Sequence, residues 1–359
     1  MKIGSTKLPG NLFLAPMADV TNLAFRLLCK EHGADFTYTE MISADALVNE
    51  NRKSVLKSLS APEEGAFGIQ LVGSKPETLS AAALFVEEEY KPAVIDVNLG
   101  CPARQIRDTG CGSALLEKPD KIYAILKELS ENLGERTPIS AKIRLLESEK
   151  KTLEIARLIE KAGASALTVH GRTAKEMYSG KSKLLPIKAI KEELSIPIIA
   201  NGDIRDEKSA AEALEFTGCD GLMIGRAARG NPFIFRRIRN FLETGEYLIS
   251  EKDSESKAGF KSEERQKPWE MREKKRGEKR EENPLAEKLQ IRQFQDFETY
   301  VKLLEKYELL NSTNLRIHAH WFTKGLRGSR QLRERINNLN DSKAIIELMK
   351  AVSEDQCKK

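Results

Sequence analysis

The chain has 359 residues, a net charge of +5 and 40% hydrophobic residues, enough for one large and one small domain. It contains no apolar run of about eighteen residues, and its start, Met1-Lys2-Ile3-Gly4, lacks the basic-then-apolar profile of a secretory leader, so a soluble cytoplasmic protein without membrane association is expected. The five cysteines include no Cys-x-x-Cys pair, which argues against a zinc site or redox dithiol, so free thiols and no bound metal are expected.

Short β-branched apolar runs alternate with longer stretches of helical period, the pattern of parallel strands joined by crossover helices. Eight strands are expected: Leu12 to Ala15, Phe36 to Thr39, Phe67 to Leu71, Val94 to Val97, Ile139 to Ile143, Leu167 to Val169, Ile196 to Ala200 and Gly221 to Ile224. Between the fifth and sixth, Leu153 to Ala162 sets Ile155, Leu158, Ile159 and Ala162 on one stripe, with Gly163 as a stop. Such alternation predicts an α/β fold, a TIM (β/α)8 barrel, over residues 1–245. From 246 to 290 about half the residues are charged, with Lys274-Lys275-Arg276 near the middle, which predicts a flexible or solvated linker. Beyond it, Phe294 to Leu310 and Lys343 to Val352 space apolar residues by three and four, which predicts a small all-helical domain over 291–359.

A TIM barrel keeps its active site at the C-terminal ends of its strands, and here those ends are polar. Asn201-Gly202-Asp203 and Gly225-Arg226 have the composition of a phosphate site, because glycines let backbone N–H groups approach an anion and Arg226 adds a bidentate donor. Lys142 must be paired or useful inside a barrel mouth. Its partner is either the anionic edge of a reduced flavin or a carboxylate such as Asp96, and position alone does not separate the two. Cys101, in the turn Gly100-Cys101-Pro102, points a largely protonated thiol at the mouth, whereas Cys29, Cys219 and Cys357 are read as small buried hydrophobes. Cys111 stands between these readings, because its glycine-rich loop can return to the same site. His170 suits a ring edge or a structural hydrogen bond, and Gln70 and Asn98 suit the edge of a pyrimidine or a flavin, or else tie loops together.

Seven short motifs then line up in order along the chain. They are Ala15-Pro16-Met17-Ala18-Asp19-Val20-Thr21-Asn22 with Phe25-Arg26, Gln70-Leu71-Val72-Gly73, Asp96-Val97-Asn98-Leu99-Gly100-Cys101-Pro102, Lys142-Ile143-Arg144, His170-Gly171-Arg172-Thr173, Asn201-Gly202-Asp203 and Gly225-Arg226. Together they resemble the tRNA-dihydrouridine synthase family over about residues 11 to 240. The resemblance implies that Pro16, Met17 and Ala18 line FMN, that Gln70 and Lys142 contact its ring, and that Asn201, Gly202, Asp203, Gly225 and Arg226 hold its phosphate. It groups His170 with the cofactor set and Asn98 and Arg172 with the substrate. NADPH, or NADH, would reduce FMN, hydride would pass to C6 of uracil, and Cys101 would protonate C5 of a base extruded from folded RNA. Two departures stand out: Cys111, where the family more often has a small residue, and the length of the charged linker.

Between Glu308 and Glu334 no acidic residue occurs, while Arg316, Lys324, Arg327, Arg330 and Arg333 accompany His318, His320 and Trp321. This is a footprint for phosphates, and Arg316, Trp321, Lys324 and Arg327 are expected to touch tRNA. A flavin-dependent dehydrogenase of free pyrimidines, similar to dihydroorotate dehydrogenase, leaves that basic domain unexplained. A non-catalytic RNA-binding barrel is opposed by Cys101 and Lys142. Nothing in the sequence indicates an oligomer, and a monomer is expected.

Overall fold

The computed structural model describes residues 1–133, 136–248, 284–326 and 328–357. Two compact units emerge, Met1–Ala228 and Arg229–Lys359.

The first unit opens with a hairpin of β1 (Lys2–Ile3) and β2 (Thr6–Lys7). Eight parallel strands follow: β3 (Leu12–Leu14), β4 (Phe36–Ser43), β5 (Phe67–Val72), β6 (Val94–Leu99), β7 (Ile139–Leu145), β8 (Ala166–Thr173), β9 (Ile198–Asn201) and β10 (Gly221–Ile224). They close in sequence order, β10 pairing with β3, into the TIM barrel that the alternation predicts. Ile3 and Leu8 pack with Phe36, Val94 and Ala166, the first residues of their strands, so the hairpin region floors the N-terminal end and leaves the other end as the mouth. The strands are buried on both faces, which accounts for their continuous apolar runs.

Local chemistry sets the element ends. The helix Glu149–Lys161 buries Ile155 and Ile159 and stops where Gly163 takes φ +98°. The helix Glu207–Thr217 starts at a capping box between Asp206 and Ser209. Strand β9 begins at Ile198 and not at Ile196, because Pro197 has no N–H for a ladder. Strands β4, β6, β7 and β8 run further toward the mouth than their apolar residues suggest. As a result Asn98, Arg144, His170, Gly171, Arg172 and Thr173 belong to strands and not to the loops after them. Between β7 and β8 the register shifts after Arg144↔His170, so Gly171 and Arg172 form an irregularity at the rim, where bulges commonly re-aim side chains.

The second unit contains the helices Ile234–Thr244, Pro284–Lys306, Ser312–Phe322, Ser329–Asn337 and Ser342–Cys357. Its core includes Phe297 edge-on to Phe322 at 5.7 Å and Tyr300 stacked on His318 at 4.2 Å. The unit starts at Arg229, upstream of the division expected at 245. The Arg292 guanidinium lies 5.0 Å from the Phe233 ring, and Trp321 backbone presses on Gly230, so the chain from 229 onward packs with the helices. Helix Pro284–Lys306 begins within the stretch 246–290 assigned to the linker, and residues 249–283 of that stretch lie outside the described residues.

Candidate active site

The period-two geometry of strands puts Ser140, Lys142 and Arg144 of β7 on one face, and likewise Asp96 and Asn98 of β6. Register then sets Gln70 beside Asp96, Asn98 beside Lys142, and His170 between Arg144 and Asn201. Residues scattered over more than a hundred positions of sequence therefore meet at one mouth.

Cys101 follows β6 on a turn fixed from beneath. Its N–H and that of Gly100 both donate to Asn98 Oδ1, at 2.9 and 3.2 Å. The Cys111 loop does return to this turn: Ser113 N donates to Cys101 O at 3.0 Å, and a Cβ on Gly112, whose φ is +59°, would clash with Cys101 O. The Cys101 thiol is half-buried, whereas Cys111 is buried with its sulfur 3.7 Å from Thr109 O. Gln70 and Asn98 bond each other, and Gln70 bonds Asp96, so both tie the site together whatever else they touch. Burial raises the Asp96 pKa to about 6 against the pull of Ser140, Gln70 and Lys142.

Lys142 donates to Asn201 Oδ1 at 3.0 Å, and Asn201 in turn donates to Met223 O at 2.7 Å. Asp96 acts on the ammonium through its field. Burial and then Arg144 lower the Lys142 pKa to about 8, against Asp96 and Cys101. His170 is held far below the usual imidazole range, first by burial and then by Lys142, Arg144, Arg172 and Arg226, so it is neutral. Four cations thus converge on one imidazole.

Asp203, whose φ is +53°, is the counter-charge of two of them, Arg172 and Arg226. Arg172 Nη2 lies 2.7 Å and Ser182 N 2.9 Å from Oδ2, while Arg205 and Arg226 approach Oδ1 at 2.9 and 3.4 Å. Burial opposes its ionisation, but these donors outweigh burial and hold its pKa well below the carboxylate range. A carboxylate so engaged is an anchor for cations, which leaves the backbone of the Asn201-Gly202-Asp203 loop as its means of meeting an anion. Arg172 is fully buried and donates to Ser179 O and Gly180 O, so it closes the loop after β8. Arg172 Nη1 and Ser182 Oγ, both flanking Asp203, are buried without a partner.

Pro16, Met17 and Ala18 follow β3 in a loop pinned by Thr21 Oγ1, which accepts from Met17 N at 3.1 Å, and by Glu40, which accepts from Asp19 N at 2.8 Å. Gly225, just after β10, lies beside this loop, since a Cβ placed on it would touch Ala15 Cβ at 3.5 Å and Met17 sulfur at 3.7 Å, both ordinary contacts. Arg226 stacks over the Tyr178 ring at 4.4 Å, with Arg144 on the same ring at 5.7 Å. Tyr178, Ser182 and Arg205 carry no motif in the sequence, and only the fold brings them to the mouth.

In the helical unit the expected phosphate ligands divide. Arg316 donates to Leu339 O at 2.6 Å, and His318 is buried against Tyr300, so each has a partner within the unit. Trp321 is half-buried with Arg229 over its ring at 5.1 Å. Lys324 and Arg330 are exposed, as is Arg335, which lies just beyond the acid-free stretch. Arg333 donates to Thr323 Oγ1 at 3.2 Å, and Arg327 lies outside the described residues.

A closed parallel barrel with a half-buried thiol and fixed cations at its C-terminal mouth defines a TIM-barrel enzyme. Residues 13–265 match the family model for dihydrouridine synthase (Dus). The chain is 43% identical over 250 residues to tRNA-dihydrouridine synthase B of Klebsiella pneumoniae, covering 69% of this chain and 77% of that protein. It is 42% identical over 250 residues to the protein of the same name from Escherichia coli strain K12, with the same coverage. This chain belongs to the dihydrouridine synthase family and is an oxidoreductase. Among solved structures, histamine dehydrogenase from Rhizobium sp. 4-9 aligns with a TM-score of 0.50 at 14% identity, over 68% of this chain and 47% of that one. A 2-naphthoyl-CoA reductase aligns with a TM-score of 0.52 at 12% identity, over 67% of this chain and 51% of that one. The chain spans about half of each, and the likeness is one of fold. Among the described residues no helix is long and apolar enough to cross a membrane.

Proposed function

We propose that this protein is an FMN-dependent tRNA-dihydrouridine synthase that uses NADPH, or NADH, to reduce the C5–C6 double bond of uridines in tRNA. The observation that carries the reading is the convergence of Lys142, Arg144, Arg172 and Arg226 around a neutral His170, beside the half-buried Cys101 thiol. So much fixed positive charge suits an anionic, ring-bearing cofactor. The unpartnered Arg172 Nη1 and Ser182 Oγ fit the phosphate end, with Gly202 letting Ser182 and His170 close on the loop and Asp203 keeping the guanidinium groups in place. Pro16, Met17 and Ala18 would line the ring, with Gln70, Lys142 and His170 at its polar edge.

FMN, when bound, would supply the hydride for C6 of the uracil ring. The chain's own groups do the rest. Cys101 donates a proton to C5 from a turn whose backbone is clamped by Asn98, so the thiol is held without spending its own hydrogen bond. Lys142 remains largely protonated near neutral pH and offsets negative charge that develops at the ring edge. The mouth lies inside a barrel, so the base must leave the RNA stack to reach it. The exposed cations Lys324, Arg330 and Arg335 of the helical unit supply phosphate contacts for the rest of the tRNA.

The test is direct. Protein purified under native conditions should carry flavin that is released on denaturation and co-elutes with FMN. A strain lacking the gene should lose dihydrouridine at defined tRNA positions and regain it on complementation. Colourless protein together with unchanged tRNA would overturn the proposal.

A further inference from the structure

The polar groups beneath the Cys101 turn form a single hydrogen-bonded chain whose direction is set from both ends. Backbone N–H groups only donate, so Asn98 must present Oδ1 to Gly100 N and Cys101 N, at 3.2 and 2.9 Å. Its amide nitrogen then faces Gln70 and donates to Oε1 at 2.8 Å, which leaves Gln70 Nε2 to donate to Asp96 Oδ2 at 2.7 Å. From the other side Ser140 Oγ donates to Asp96 Oδ1 at 2.6 Å. With its proton so committed, Ser140 accepts from the Tyr38 hydroxyl at 3.4 Å. Every donor in the chain points toward Asp96, and all five side chains are buried. A carboxylate is the one group among them that accepts at both ends and donates at neither.

We propose that Asp96 is the positioning residue of this site: acting through Gln70 and Asn98, it fixes the amide orientation that clamps the Gly100 and Cys101 backbone and so sets where the thiol stands. This deepens the reading above and rests on it for the role of Cys101. By hydrogen bonds, Asp96 reaches the turn through the two amides. Without its carboxylate, Gln70 Nε2 has no acceptor there, and Gln70 is free to turn its carbonyl away from Asn98. Asn98 can then swing off the backbone. Asparagine at position 96 is different, because its oxygen can still accept from Gln70 while Ser140 rotates its hydroxyl to accept from the new amide.

The experiment is the rate of iodoacetamide alkylation at Cys101, followed on its peptide by mass spectrometry in the folded full-length protein. Asp96→Ala and Asn98→Ala should each raise the rate by about three- to tenfold, within the coupling range of directly bonded neighbours. The double variant should match Asn98→Ala alone to within about twofold, because the two side chains act along one hydrogen-bonded chain, and Asp96→Asn, which also removes the charge, separates the field of Asp96 from its bond to Gln70. Asp96→Asn should return the rate to within about twofold of the unsubstituted protein. If Asp96→Ala does not fold, Gln70→Met cuts the same chain and enters the same cycle. An unchanged rate in folded Asp96→Ala, or effects that multiply in the double variant, would overturn the proposal. Alkylation needs neither bound flavin nor tRNA, so a chain inactive on tRNA still reports on the turn. An active enzyme with unaltered alkylation sinks only the positioning role.

Discussion

Cys101 owes its position to backbone hydrogen bonds, so removing its side chain takes away the thiol without releasing the turn. Cys101→Ala should therefore keep its bound flavin while turnover on tRNA falls by about 10²- to 10⁴-fold, the usual loss for a positioned general acid. Steady-state assays with flavin quantified per chain check both halves, and full turnover would remove the thiol from the reaction. Cys111→Ala should lose much less, since that thiol is buried against Thr109 O. Lys142 yields a stability prediction with a definite sign. Its folded pKa of about 8 lies below the ordinary 10.5, so the fold binds fewer protons than the unfolded chain. The stability it contributes is full above 10.5 and is lost as pH falls through about 8. Lys142→Met should therefore flatten the rise in flavin-free stability between pH 8 and 10.5. It should also raise the melting temperature at pH 7 by about 2–4 °C, the effect of one kcal/mol in a domain of this size. A lower melting temperature at pH 7 would mean that the bond to Asn201 outweighs the buried charge.

The eight strands were legible as elements because a barrel strand buried on both faces writes itself as a short β-branched run. Their far ends were not, because polar residues in a strand read as loop. Asn98 and His170, expected just after their strands, lie within them. The basic stretch of the helical unit shows a different limit. Composition located the cations, yet only packing separates Arg316, which bonds the Leu339 carbonyl, from Lys324 and Arg330, which face solvent. The two kinds should respond differently. Lys324→Ala with Arg330→Ala should reduce the slope of log tRNA affinity against log salt by up to about 1.8, at unchanged melting temperature. Arg316→Ala should leave the slope alone and cost about 1–3 kcal/mol of stability, because it orphans a carbonyl held by a charged donor. Filter binding across a salt series and thermal denaturation distinguish them. A slope change in Arg316→Ala with no loss of stability would return it to the phosphate set.

At the scale of the whole molecule, a net charge of +5 says little, because the decisive charges are local. One group of cations is gathered at the barrel mouth around His170 and Asp203, and another lies exposed on the helical unit. The helix Ile234–Thr244 follows the last strand just as a barrel helix does, so its sequence gives no sign that it falls in the second compact unit. Only its packing assigns it elsewhere. Family, barrel and mouth were readable from motifs in order; the ion cluster on Asp203 was not, because its partners come from three separate segments. The central claim is that this mouth reduces uridine within tRNA. It is tested most directly by incubating the purified, flavin-loaded protein with unmodified tRNA and NADPH, digesting the RNA, and weighing its nucleosides by mass spectrometry. The account predicts a nucleoside heavier than uridine by two hydrogens, formed in proportion to NADPH consumed and absent with Cys101→Ala at matched times. Flavin that NADPH reduces while the uridines keep their mass would contradict it.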